Sequence, residues 1–237
     1  MIHFDHVSKR YPNGREALTD LSLEIGSGEI AFVTGHSGAG KSSLLKLIAL
    51  IERPSRGQVV VNGQNLTNVP RSRVPAFRRQ VGMVFQDHKL LSDHTIFDNV
   101  ALPLVIAGVG SKEIGKRVRA ALDQVGLLGR EQCVPLELST GEQQRVGIAR
   151  AVVSKPPILI ADEPTGNLDP DLSLEVMHLF RRFNEVGVTV LVASHDVHLL
   201  QHFPVRRIRL EAGRVVDGAD TEPRGRGDPL RTEAASP

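Results

Sequence analysis

The sequence predicts an α/β domain: a mainly parallel sheet with flanking helices, an N-terminal antiparallel β part, and a helical part inserted at about 87–155. Three observations carry that expectation. Short, strongly apolar runs at 29–34, 81–85, 158–161 and 188–192 have the length and composition of buried strands. Residues 2–7 and 18–25 alternate apolar with polar side chains, with Leu21, Leu23 and Ile25 on one face, as strands of a half-exposed antiparallel sheet do. The run Gly35-His36-Ser37-Gly38-Ala39-Gly40-Lys41-Ser42 lies between the apolar run 29–34 and the helix-forming run 43–50. Strand, glycine-rich loop and helix thus come in the order that wraps backbone around a phosphate chain.

Composition narrows the possibilities. A chain of 237 residues, 41% of them apolar, buries a full core and suits one large domain or a domain with a subdomain. A net charge of +2 is too small to argue for a nucleic-acid partner. The single cysteine, Cys133, has no mate for an internal disulfide, fits a reducing compartment and reads as an incidental thiol. No basic-then-apolar leader opens the chain at Met1-Ile2-His3-Phe4-Asp5, so secretion is not signalled. The longest apolar stretch, 100–109, is interrupted by Pro103 and falls far short of the ~20 residues of a spanning helix. Any membrane role is therefore expected to come through a partner.

In chain order, Pro12-Asn13-Gly14 turns between the first two strands, and Tyr11, the only tyrosine, stands just before that turn. Its ring is placed either to stack on a purine base or to lie half-buried in the ordinary way. In the glycine-rich loop, Gly35, Gly38 and Gly40 let backbone N–H groups turn inward without Cβ clashes, and the following helix adds the positive end of its dipole. Lys41 is then expected to reach the β- and γ-phosphates of a nucleotide, and Ser42 to set its hydroxyl on the Mg²⁺ that bridges them. Residues 52–57 break the helix, and Val59-Val60-Val61 before Asn62-Gly63 is a strand entering a tight hairpin. Arg71, Arg73, Arg78 and Arg79 read as a solvated helix face. The run 81–85 ends on Gln86, whose amide is placed to touch Mg²⁺ or an attacking water. Ser111 is expected to cap a helix whose Ile114, Val118, Ala121 or Leu122, and Val125 share one face and which Gly126 stops.

Leu138-Ser139-Thr140-Gly141 opens a helix running to about Ser154; such a turn is an N-cap and an anion site at once. The run 158–161 ends in Asp162-Glu163. Adjacent side chains of an extended chain point opposite ways, so one carboxylate is expected in a Mg²⁺ shell while the other faces a water. Asp169-Pro170 starts a helix with Leu172, Val176, Leu179 and Phe183 on its apolar face and Gly187 at its end. The run 188–192 delivers Ser194-His195-Asp196, where His195 is placed to hydrogen-bond a γ-phosphate. A last hairpin turns at Ala212-Gly213, and the apolar-poor, Pro/Gly-rich stretch 217–237 is expected to be a disordered tail. No internal repeat is evident, so 1–216 reads as one nucleotide-binding domain.

Tyr11, the 35–42 loop, Gln86, the 138–143 turn, and the run 158–163 followed by His195 stand in one order that resembles the ATP-binding cassette ATPases, from residue 2 to about 216. The resemblance implies a P-loop NTPase core with a helical signature subdomain, and an ATPase that uses ATP and Mg²⁺. It places Tyr11 at the adenine, and Gly35, His36, Ser37, Gly38, Ala39, Gly40, Lys41, Ser42 and Ser43 around the phosphates. Ser42, Gln86 and Asp162 fall at the metal, Glu163 at the general base, and His195 at the switch histidine, with Lys41 and Gln86 beside the transferred phosphate. Ser139 and Gly141 fall in the signature loop, and Asp169 in the D-loop segment Asn167-Leu168-Asp169. The resemblance further implies a head-to-tail dimer sandwiching two ATP, each covered by Ser139 and Gly141 of the other subunit. An integral membrane partner, contacted by the segment after Gln86, would hold the chain peripherally on the cytoplasmic face of the inner membrane.

Within the family, segments 32–41, 51–55, 85–91 and 143–153 are most similar to the bacterial cell-division branch, which implies control of septal peptidoglycan hydrolysis and other division proteins as partners. The lipoprotein-release and macrolide-export branches share the 161–169 segment and are the alternative. Two departures stand out. Thr140 replaces the usual Gly, and its β-branch is expected to restrict the backbone beside the γ-phosphate and weaken closure. With hydrolysis negligible for that reason, the chain would be an ATP-dependent scaffold instead. Glu142 stands where Gln is commoner. A soluble DNA-repair or translation cassette is disfavoured, because no coiled-coil insertion interrupts the chain and no second cassette follows.

Overall fold

A computed structural model of the chain describes residues 1–196, 199 and 201–217. The tail expected over 217–237 thus lies, beyond Asp217, outside the described residues. In chain order the first elements are β1 (Ile2–Arg10), β2 (Glu16–Ile25), β3 (Ile30–Thr34), α1 (Lys41–Ile48), β4 (Arg56–Val61), β5 (Gln64–Asn65), α2 (Val74–Arg78) and β6 (Val81–Val84). They are followed by α3 (Ile96–Ile106), α4 (Ser111–Gln124), α5 (Thr140–Val152), β7 (Ile158–Asp162), α6 (Pro170–Glu185), β8 (Thr189–Ala193), β9 (Arg206–Glu211) and β10 (Arg214–Asp217).

The alternating N-terminal segments form an antiparallel sheet in the order β2-β1-β4-β5. Its register sets Ile2 between Ile25 and Val61, and Phe4 between Leu23 and Val59, so these positions form an apolar, buried face. The uniformly apolar runs form the centre of a second sheet, β10-β9-β3-β8-β7-β6, parallel from β9 to β6 with β10 antiparallel at the edge. Every residue of β8 is buried, because both faces of the sheet are covered. Ile160 and Leu191 pack with Leu44, Leu45 and Ile48 of α1 and with the antiparallel sheet. Leu159, Val190 and Val192 pack on the opposite side with Val176, Met177 and Phe180 of α6. This is the α/β class with an N-terminal antiparallel part that the sequence predicts. Because β3, β6, β7 and β8 run parallel, their carboxyl ends bring residues 35–42, 86, 162–163 and 194–195 to one edge of the sheet.

One local expectation is corrected in the helical part. Gly110, in extended conformation, is the N-cap residue of α4 and Ser111 is its first helical residue, so no side chain caps that helix. The predicted face of Ile114, Val118 and Leu122 is nevertheless buried. Helix α3 falls in the part expected to be helical, overlaps the apolar run interrupted by Pro103, and carries that proline inside it. Its start is secured from outside: the carbonyls of Cys133 and Glu131 accept from the N–H groups of Ile96 and Phe97, and Thr95 Oγ1 accepts from Asp98 N–H.

The segment that leads from Gln86 into α3 is tied down from two sides. His88 and Lys89 are consecutive left-handed residues (φ 56° and 51°). The Arg150 guanidinium of α5 donates to the carbonyls of both, and His88 Nδ1 meets Gln144 Oε1. From the other side the fully buried Asn99 of α3 accepts from Leu91 N–H and donates to the carbonyls of Leu91 and Thr95, at 2.8–3.0 Å. Arg71, Arg73, Arg78 and Arg79 are exposed, with Arg78 also donating to the Leu50 carbonyl.

Candidate nucleotide site

The loop after β3 has a shape that only glycine permits at two points. Gly35 (φ 145°) and Gly40 (φ 112°) are pressed against neighbouring backbone: an added Cβ would lie 2.3 Å from the Leu210 carbonyl oxygen and 2.6 Å from that of Ala17, respectively. Gly40 is the N-cap of α1, and that helix has neither a capping side chain nor an acidic residue in its first turn. Its positive end is left for an external anion, and the donor set fits a phosphate chain.

Lys41 is buried, and its ammonium donates to the carbonyls of Gly35 (2.8 Å) and His36 (3.3 Å) while lying 3.2 Å from Glu163 Oε1. Ser42 Oγ donates to Asp162 Oδ1 at 2.9 Å, which sets a hydroxyl and a carboxylate side by side as a hard cation requires. Glu163 Oε2 takes the Nδ1 of His195 at 2.9 Å and the His195 backbone N–H at 3.3 Å. The two carboxylates diverge for a different reason from the one the sequence suggests. Asp162 ends β7, but Glu163 is not extended: at φ 49° it opens a tight turn closed by Gly166 N–H on its carbonyl. Gln86 joins the same turn, since a methyl group added to Gly166 would lie 3.6 Å from its amide nitrogen.

Burial, its main cause, pushes the Asp162 carboxyl above the ordinary carboxylate range, and the hydrogen bond from Ser42 offsets part of this. A raised value means that the folded chain holds this proton more tightly than the unfolded one. The group's contribution to stability is therefore complete below the unfolded value and is lost as pH rises through the folded value. Asp162→Asn keeps an acceptor for Ser42 and removes the buried charge. Its nucleotide-free melting temperature at neutral pH is expected to rise by about 2–4 °C, with Mg²⁺-dependent turnover lost. Calorimetry beside a phosphate-release assay checks both halves.

Tyr11 is fixed beside the loop by its hydroxyl, 3.1 Å from Ser43 Oγ, with Lys9 Nζ 5.0 Å from the ring centroid. Asp169 caps α6 through Leu172 N–H at 2.9 Å. Ser139 caps α5, and Gly141 packs where a Cβ would meet Leu172 at 2.8 Å. Among the described residues the hydrogen bonds of Ser139 run to Glu142 and that of the Asp169 side chain to Leu172, and none of these reaches the 35–42 loop of the same chain. Thr140 is the exposed first residue of α5 in ordinary helical conformation, which a β-branched residue adopts, so the expected backbone restriction has no footing in this geometry. Sequence reasoning missed Arg15, whose guanidinium donates to the Gly38 carbonyl at 3.3 Å. Its position 23 residues before Gly38, in the turn that leads into β2, gives no local signal.

A sequence profile of the ABC transporter family matches residues 18–166. The chain is 55% identical over 222 residues to the cell division ATP-binding protein FtsE of Escherichia coli K12, covering 94% of this chain and 100% of that protein. It is 45% identical over 216 residues to FtsE of Bacillus subtilis 168, covering 91% and 95%. The dimeric post-hydrolysis state of the ATP-binding cassette MJ0796, bound to ADP and Pi, matches with a TM-score of 0.83 at 34% identity, over 91% of this chain and 96% of that one. The cassette cbiO1 of Clostridium perfringens, part of the ABC transporter complex cbiONQ, matches at 0.83 and 30% identity over 91% and 86%. A glycine loop, a serine–aspartate pair and a lysine–glutamate–histidine chain, gathered at one end of this sheet, agree with these likenesses in a single conclusion: the chain belongs to the ABC transporter family and is an ATP-hydrolysing cassette of it.

Proposed function

We propose that this cassette works in cell division with an FtsX-like integral membrane protein, transmitting ATP-driven closure to the control of septal peptidoglycan hydrolysis. The observation that carries the ATPase half is Glu163, held between Lys41 and His195 beside the Ser42–Asp162 pair. The division half is supported by the 55% identity to FtsE over nearly the whole chain. Among the described residues no helix is long and apolar enough to cross a membrane, so a place on the cytoplasmic face of the inner membrane would come through the partner.

In this reading the N–H groups of residues 35–43 hold the phosphates of ATP, and Tyr11 stacks on the base. Lys41 exchanges its loop carbonyls for β- and γ-phosphate oxygens, which frees Glu163 Oε1 to orient a water and accept its proton. His195 keeps the other carboxylate oxygen in place, and Gln86, beside the same turn, faces the water. Ser42, Asp162 and Gln86 are the residues that would hold Mg²⁺, which when bound neutralises charge on the phosphates. Ser139, Gly141 and Asp169 act on the ATP of a second copy in a head-to-tail dimer, so that nucleotide becomes part of the interface.

The test is ATP hydrolysis by the purified chain, alone and reconstituted with the FtsX-like protein of the same organism. Turnover that rises with that partner supports the proposal. Binding without turnover in both conditions defeats it in favour of a scaffold, and stimulation only by a lipoprotein-release or macrolide-export membrane subunit moves the chain to those branches.

A further inference from the structure

The turn that opens α5 contains a donor already spoken for. Ser139 Oγ accepts from Glu142 N–H at 3.3 Å and donates its single proton to Glu142 Oε2 at 2.9 Å; the same carboxylate oxygen accepts Ser139 N–H at 2.9 Å. The other oxygen, Oε1, lies 3.2 Å from the guanidinium of Arg130. We infer that Glu142 is a built-in competitor of the γ-phosphate: it occupies the Ser139 hydroxyl and the positive end of α5 until ATP on a second copy displaces it, and Arg130 sets how strongly it resists. This rests on the head-to-tail dimer proposed above.

The physical ground is a conflict between two anions over one set of donors. A hydroxyl has one proton, so Ser139 cannot serve a carboxylate and a phosphate oxygen together. A full negative charge in the first turn cancels a helix-end charge of about +0.5, the quantity that draws phosphate to such turns. Glu142 is ionised at neutral pH, since the Ser139 N–H and hydroxyl, with Arg130 adding to them, hold its carboxyl below the usual range. An amide at this position would accept the Ser139 N–H and keep the cap without carrying charge. The turn does not depend on Glu142 alone, because the Gln143 amide donates to the carbonyls of Pro135 and Leu138 at 3.0 and 3.1 Å. Glu142 is therefore a positioning residue that raises the threshold for closure, with Arg130 as its counterweight.

The experiment follows ATP-driven dimerisation by sedimentation in a Glu163→Gln background, across a range of ATP concentrations. Adding Glu142→Gln is expected to lower the ATP needed for half-dimerisation about threefold to tenfold. The melting temperature of the nucleotide-free chain is expected to fall by about 2 °C as the charged cap is lost. Opposite movement of the two readouts is what a merely structural role would not produce. Glu142→Asp, which keeps the charge, should not lower the ATP requirement. Arg130→Met should raise it, and should have no effect once Glu142→Gln is present. An ATP requirement unchanged or raised by Glu142→Gln overturns the inference while the dimer stands. If Glu163→Gln alone fails to dimerise with ATP, the dimer falls and the inference falls with it, and the single variant reports that case separately.

Discussion

Glu163→Gln is expected to lower the rate of phosphate release by at least about a hundredfold while ATP remains bound, so that the chain accumulates as an ATP-loaded dimer. The substitution is nearly isosteric and keeps an acceptor for His195 Nδ1, so the turn at φ 49° survives. What it removes is the proton acceptor and the charge 3.2 Å from the Lys41 ammonium. Loss of that charge also releases Lys41 toward phosphate, so ATP affinity should hold or rise even as turnover disappears. Steady-state phosphate release and gel filtration with ATP and with ADP check this. Wild-type turnover in the variant would take Glu163 out of the reaction, and dimerisation with ADP as readily as with ATP would remove hydrolysis as the release step.

Lys41→Ala is expected to weaken ATP binding about a hundredfold, the size of one or two charge-assisted hydrogen bonds to phosphate. Its effect on the folded chain separates it from a loss of contact alone. In the nucleotide-free structure Lys41 is buried, donates to the Gly35 and His36 carbonyls and neutralises Glu163. Alanine leaves two loop carbonyls short of a donor and Glu163 without its cation, so the melting temperature should fall as well. Titration of a fluorescent ATP analogue beside a thermal melt reads both effects. Undiminished affinity would mean that the ammonium stays with its carbonyls when nucleotide arrives.

The site was largely legible because its parts are local in sequence. The glycine loop, Asp162-Glu163, Gln86 and His195 each sit at the carboxyl end of an apolar run, and a parallel sheet brings such ends together. What was not legible depends on elements distant in the chain. The sequence offers no sign that Leu210 and Ala17 would press on Gly35 and Gly40, or that Arg15 would reach the Gly38 carbonyl, since sheet order decides both. The left-handed turn at Glu163 was missed because glutamate rarely takes that conformation; here it is fixed by backbone bonds to Ala193 and Gly166. Helix α3 lies in the part read as helical from about residue 87, and the cost of Pro103 inside it is met by burial of Ile96, Val100 and Leu104. Ser111 looked like a cap because residue type signals capping but not which of two neighbours is extended, and Gly110 is.

The two-sided fastening of the segment behind Gln86 has a mechanical consequence. A slack loop would absorb a small movement of Gln86 within its own dihedral angles. Arg150 and Gln144 grip His88 and Lys89, and Asn99 grips Leu91 and Thr95, so the backbone is held at 88, 89, 91 and 95. The segment behaves as a strut joining the edge strand β6 to α3 and α5 together. A displacement imposed at either end is expected to pass to the other and to α5, whose first turn follows Ser139.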